Sequence, residues 1–211
     1  RHSGYFIGMK AIQLLLAAAL FTTGFICRSS AESFDILLLI EPLAGAPTIV
    51  GESAIEGHEG EIDVASFKMG VAQKGSALAG GSGFGASKSD FKPLTIYKFI
   101  DKATPQLFLA CATGTRYKRA VLTVTNSGNA RLAPPERRFG EFFKLVIEDV
   151  FITSMNQDAS TTDGNGNLVE SVEISYQRIS WFYTAADGST TSGGFDLKKN
   201  AKFTPPVAPS L

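Results

Sequence analysis

Two side chains in this sequence could carry nucleophilic chemistry. Cys111 stands in "DKATPQLFLACATGT" (101–115) and His58 in "EGHEGE" (56–61). A cysteine nucleophile needs a base, usually an imidazole, to give up its proton. The only other cysteine and histidine, Cys27 and His2, lie in the first 31 residues, so a catalytic dyad would have to pair Cys111 with His58. Nothing in the spacing places them together. Cys111 instead falls at i+4 from Leu107 and next to Ala110, on one apolar stripe of a short helix, where a cysteine acts as a small hydrophobe. Leu107, Ala110 and Cys111 are the predicted helix core.

Three other patterns invite chemistry and do not sustain it. "AGGSGFGAS" (79–87) holds Gly81-x-Gly83-x-x-Ala86, a loose dinucleotide pattern, but a strand-like "KPLTIY" follows where a helix N-terminus would be needed. It reads as a flexible surface loop. "DASTTDGNGNLVE" (158–170) places Asp163, Asn165 and Asn167 like a calcium loop. Its sixth position is Leu168 and its twelfth Ile174, where glycine and glutamate are required. A long hairpin loop explains the Gly and Asn equally well. Glu59, Glu61 and Asp63 could form an acid–base set, yet Glu61 and Asp63 share one strand phase that reads as a solvated face. With one cysteine and one histidine left after residue 31, a transition-metal site is not expected. No catalytic residue, metal or cofactor is predicted.

The elements that would position such groups are mostly strands. "FDILLLIE" (34–41) is almost continuously apolar and so is expected to be buried on both faces. "GEIDVASFKMGVAQ" (60–73) alternates through Ile62 and Val64, then changes phase to Phe67, Met69 and Val71. Such a change needs a bulge or a strand that passes between surfaces. "KPLTIYKFI" (92–100), "YKRAVLTVT" (117–125) and "FFKLVIEDVFITSM" (142–155) follow. In the last of these Phe143, Leu145 and Ile147 oppose Val146, Val150 and Ile152. "VESVEISYQRISWFYT" (169–184) buries Val172, Ile174 and Tyr176 on one phase, then Ile179, Trp181 and Tyr183 on the other. "GGFDL" (193–197) closes the series. Repeated phase changes suit a closed, strongly bent sheet. The fold class expected is mainly β: a closed barrel of antiparallel strands with one short α-helix packed on it. Strands apolar on both phases further suggest an outer surface covered by other subunits. Only 102–113 has helical character, with Thr104 as N-cap, Pro105 in the first turn and Gly114 ending it.

The N-terminus reads as a targeting segment. From Met9, Lys10 precedes the uncharged stretch "AIQLLLAAALFTTGFIC" (11–27), and "RSSA" (28–31) offers Ser29 and Ala31 to a signal peptidase. Cleavage is expected between Ala31 and Glu32, leaving a single domain over 32–204 and a Pro-rich tail over 205–211. An uncleaved anchor is the other reading of the same stretch, which is at the short limit for a span. The whole chain carries 20 basic and 20 acidic residues. Residues 1–31 hold Arg1, Lys10 and Arg28 and no acid, so 17 basic residues face 20 acidic ones after cleavage. That balance gives no basic patch for nucleic acid. Membrane contact is expected only through an uncleaved signal segment. One remaining cysteine excludes an internal disulfide, so stability must come from packing or assembly.

The order of segments is more specific than any single motif. "GEIDVAS" (60–66), "YKFIDKATPQLFLACATG" (97–114), "KRAVLTV" (118–124), "IEDVFITS" (147–154), "ESVEISYQRISWFYT" (170–184) and "GGFDLKKN" (193–200) occur in that order. Together they resemble the haemolysin-coregulated protein (Hcp) family, the tube proteins of type VI secretion systems, over about Phe34 to Asn200. The resemblance implies a compact β-barrel with one helix and six subunits closing into a ring, with rings stacking into an expelled tube. It implies self-association, sheath and spike proteins and small effector proteins carried in the lumen as partners, and no catalytic residues. One feature departs from the family: ordinary members leave through the apparatus without a cleavable signal. Residues 9–31 therefore support a second reading, an exported barrel that uses loops 74–91 and 156–168 as an extracellular or periplasmic binding module. Either reading makes the protein secreted, after a cytoplasmic stage if the true start lies beyond the signal-like segment.

Overall fold

The computed structural model describes residues 34–73, 75–76, 85–86, 89–126, 140–158 and 168–206. The signal-like segment, most of the Gly-rich loop and most of the calcium-like loop lie outside the described residues. Fourteen strands and one helix are described, the strands running β1 (Asp35–Pro42), β2 (Ile62–Val64), β3 (Ser66–Lys68), β4 (Val71–Ala72), β5 (Gly75–Ser76), β6 (Gly85–Ala86) and β7 (Asp90–Phe91). Then come β8 (Leu94–Phe99), α1 (Thr104–Thr113), β9 (Arg116–Asn126), β10 (Gly140–Asp158), β11 (Val169–Ser175), β12 (Arg178–Thr184), β13 (Thr190–Asp196) and β14 (Ala201–Phe203). The fold is mainly β with one helix, as the hydrophobic pattern predicts.

β10 organises the main sheet. Its 19 residues would span about 60 Å if straight, at about 3.3 Å per residue. A compact unit of this size is only about 40 Å across, so the strand has to bend. It does so at irregularities between Glu141 and Phe143 against β9 and between Ile152 and Ser154 against β11. A third break is Asp149, whose φ of 53° is left-handed, a conformation aspartate tolerates better than most residues. One edge of β10 carries β9; the other carries β12 on its first half and β11 on its second. Strand pairs then run β12–β13–β14 on one branch and β11–β8–β3 on the other, while β9 leads to β1 and β2. All pairs in this sheet are antiparallel.

The phase switch read at 60–73 holds for Phe67 and Met69, which pack against the core, while Val71 is exposed. β2 pairs with β1, β3 pairs with β8, and Ala65 between them donates its N–H to the Tyr97 carbonyl at 2.8 Å. Asp149 and the pair Tyr176–Gln177 form a second corner, because the β10 ladder passes from Arg178 to Ser175 exactly across that step with Gln177 N bonded to Glu148 O. This corrects the two-face assignment on β10. Val150 and Ile152 do not oppose Leu145 and Ile147; all four share the main core, and only Val146 turns to the other side. One left-handed residue shifts the side-chain period by a step, which spacing alone does not reveal. Tyr183, read as buried, is 41% exposed, since it sits near the end of β12 where the core has ended.

Burial on both faces holds for β1, and a second buried face is found at Val121 of β9 and Val146 of β10. Ile36, Leu38 and Ile40 enter the main core with Ala120, Leu122 and Val124, while Leu39 packs against a second cluster of Val121, Val146 and Phe182. That second cluster is buried within one chain. Two apolar phases here therefore record a sheet covered on both sides, and do not by themselves mark a subunit interface. Pro205 is buried as well.

Candidate functional site

Helix α1 is laid against β10. Leu107 and Ala110 are fully buried, Cys111 is partly buried against the same core, and Phe108 and Leu109 face outward at 59% and 51% exposure. Gly114, at φ 64°, closes the helix. Its N–H bonds to Cys111 O and the Thr115 N–H to Ala110 O, the paired pattern that satisfies the last carbonyls. Thr104 does not act as N-cap: it is the first helical residue, Ala103 precedes it in helical geometry, and no side chain caps at Ala103. Asp101 does the equivalent work, its Oδ1 accepting from Ala103 N at 2.9 Å.

Thr104 belongs instead to a buried polar cluster centred on Lys98. The alternation Leu94, Ile96, Lys98 turns all three side chains inward. Lys98 Nζ donates to Phe99 O at 2.7 Å, Asp101 Oδ1 at 2.7 Å and Glu170 Oε1 at 2.8 Å. Thr104 Oγ1 donates to Glu170 Oε1 at 2.9 Å and accepts from Asp101 N at 3.1 Å. Gln157 Nε2 reaches the other carboxylate oxygen of Glu170 at 3.2 Å. An ammonium this deep is tolerated because its three donors and the facing carboxylate are all satisfied. The cluster ties β8, α1, β10 and β11 together. Lys98, Thr104 and Glu170 are buried structural groups, with Asp101 half-buried and Gln157 exposed at the rim.

A second polar cluster sits at the start of β10. His58 Nδ1 lies 3.1 Å from Glu61 Oε1, and its Nε2 lies 3.3 Å from Glu141 Oε1. Glu141 Oε2 pairs with Lys144 Nζ at 2.7 Å. Glu61 is therefore not on a solvated face with Asp63: Glu61 and His58 are buried while Asp63 is exposed. Burial pushes the Glu61 carboxyl up, against the lowering effect of His58, and its Oε2 has no hydrogen-bond partner. Both ring nitrogens of His58 are occupied by carboxylates, so it is not offered to Cys111 as a base. The imidazole presents opposite edges to two different carboxylates, which cannot converge on one ion; among the described residues no three metal-capable groups do. Glu141 and Lys144 also form part of the wall of a cavity of about 380 Å³, with Phe142, Phe182, Pro205 and Pro206.

What remains exposed and apolar is more suggestive than either cluster. Phe99 and Val169 are direct cross-strand partners, and Ile100 N bonds to Leu168 O at 3.0 Å. All four side chains are exposed, at the place where the register sets one end of β8 beside one end of β11. Sequence reading missed it, because "KFI" and "LVE" are ordinary strand ends until the register joins them. Among the described residues no helix is long and apolar enough to cross a membrane.

The described residues thus form a β-rich body with one helix, a buried ionic cluster around Lys98, a second ionic cluster that borders a cavity, and exposed apolar side chains at one end of β8 and β11. Residues 40–183 match the family model described as "Type VI secretion system effector, Hcp". The chain is 30% identical over 160 residues to Protein hcp1 of Pseudomonas aeruginosa, covering 73% of this chain and 93% of that protein. It is 26% identical over 153 residues to the same organism's Major exported protein, covering 71% and 82%. The crystal structure of Hcp1 from Salmonella typhimurium superposes with a TM-score of 0.62 at 27% identity, covering 81% of this chain and 99% of that one. The chain belongs to the Hcp family of type VI secretion.

Proposed function

We propose that this protein is a ring-forming structural component of a type VI secretion system, with six subunits per ring and rings stacked into the expelled tube. The observation that carries the reading is the exposed Phe99–Ile100–Leu168–Val169 patch on a chain of the Hcp family. Apolar side chains gathered at one place are costly in water and are relieved by a neighbouring copy. Closure of the sheet into a barrel is part of the same reading. It is supported by β2 and β3 lying at the two ends of the strand path, β2 on β1 and β3 on β8, with Ala65 alone between them. Sheath and spike proteins and small effectors held in the lumen are the partners this role requires. We place the product outside the cell after cleavage between Ala31 and Glu32.

Light scattering on the purified protein should give the mass of a hexamer, with annular particles in negative stain. Val169→Lys, which puts a charge into the patch without touching the core, should shift the protein towards monomer while its circular dichroism is unchanged. A folded wild-type monomer at high concentration would overturn the reading. N-terminal sequencing of the natural product should begin at Glu32.

A further inference from the structure

His58 faces two carboxylates on two different elements, and its own chemistry cannot satisfy both when neutral. A neutral imidazole has one N–H and one lone pair. Yet Nδ1 stands 3.1 Å from Glu61 Oε1 and Nε2 3.3 Å from Glu141 Oε1. With both acids ionised, one contact would set a lone pair against a carboxylate in a site where His58 and Glu61 are buried. The geometry is satisfied only when the group holds one further proton, on the ring or on a carboxyl. Lys144 pairs with the other oxygen of Glu141, Oε2, at 2.7 Å, so it does not take the place of a proton between the ring and Oε1. The raised Glu61 carboxyl and its unpartnered Oε2 are consistent with a retained proton.

The two acids belong to separable parts. Glu61 and His58 close a loop that bonds to itself, through Gly51 N to Gly60 O at 2.7 Å, Gly60 N to Ser53 O at 2.9 Å and Ser53 N to Glu61 O at 3.0 Å. Glu141 is the second residue of β10. We propose that His58, Glu61 and Glu141 form a proton-held latch, which fastens the 51–61 loop to the start of β10 when protonated and frees it when the proton leaves. The charged groups facing the ring are Glu61 from its own loop and Glu141 and Lys144 from β10. Losing the proton turns an attraction into a repulsion, so the latch opens as pH rises.

Amide hydrogen exchange at Ser53 and Gly60 on the full protein, corrected for the intrinsic pH dependence, reads the latch directly. Release of one proton on opening raises the opening constant by about tenfold per pH unit between the pKa of the open group and that of the closed one. Glu141→Gln is the discriminating variant. Its amide can donate to a neutral ring nitrogen while its oxygen accepts from Lys144, so exchange should become flat with pH while the loop stays protected. His58→Gln, which cannot titrate, should also be flat. Overturning results are a flat profile in wild type, or a slope in Glu141→Gln and His58→Gln equal to that of wild type.

Discussion

Lys98→Met isolates the energetics of the buried cluster. The Lys98 and Glu170 side chains are both fully buried, and Asp101 is nearly so. The substitution keeps the length and apolar volume of the lysine stem but removes the ammonium bonded to the two carboxylates. Glu170 would keep Thr104 and Gln157 as donors, and Asp101 the N–H of Ala103, so two negative charges would remain, hydrogen-bonded but uncompensated. Breaking a buried pair in this way costs about 3–5 kcal/mol. For a body of this size that corresponds to a fall in Tm of about 6–20 °C, at about 2–4 °C per kcal/mol. Urea unfolding at fixed protein concentration supplies the free energies, and the cycle is completed with Glu170→Gln and the double variant. Removing both charges should restore at least about 1 kcal/mol relative to the sum of the single losses. A cost below about 1 kcal/mol for Lys98→Met, or strictly additive losses, would show that the pair is solvated and that the argument from burial is wrong.

Three further outcomes follow from the packing. Gly51→Ala places a Cβ about 2.1 Å from the Glu61 carbonyl oxygen, which cannot yield without moving the loop; the variant should unfold at lower urea and lose exchange protection at Ser53. Leu107→Ala, at a fully buried site, should cost about 3–5 kcal/mol by urea unfolding, whereas Cys111→Ser, on the partly buried edge of the stripe, should cost clearly less and leave the mass in solution unchanged. Burial pushes the Tyr176 phenol up to about 12, and its hydroxyl donates to Lys92 O at 3.0 Å. A spectrophotometric titration near 295 nm should therefore show a late phenol ionisation whose amplitude falls by one tyrosine in Tyr176→Phe.

Much of the fold could be read from local pattern because it depends on local pattern. Alternation within 60–73 marked the passage from β2 to β3, and Pro105 with Gly114 marked the helix. What failed did so where a distant residue decides the outcome. Lys98 is inward by simple alternation, but a lysine at an inward position is acceptable only with Glu170, 72 positions away, and spacing cannot announce that partner. His58 looked like a loop residue because its second carboxylate arrives from β10. Thr104 looked like a cap because threonine before a proline so often is one; the capping carboxylate came from Asp101 and left the hydroxyl free for Glu170. Val150 and Ile152 were put on the wrong face because Asp149 adopts a left-handed conformation, and an aspartate in a strand pattern gives no warning of it. The apolar patch arises only when register sets Phe99 beside Val169.

These corrections share a cause in β10. A strand too long for its domain has to curl, and a curled strand is softer than a straight one at each break in its ladder. The two buried ionic clusters sit at its two ends: His58 and Glu61 act on Glu141 near the start, while Glu170 and Lys98 hold Gln157 near the finish. Apolar packing is non-directional and would permit the strand to slide or unroll by a residue. Hydrogen-bonded charges permit neither, because a one-residue shift would turn Glu141 or Gln157 to the opposite face. The clusters thus fix the register of the strand that carries the core. They do so at different strengths, the Lys98 cluster sealed and fully paired, the His58 cluster dependent on a single proton, so the start of β10 is the end that yields first.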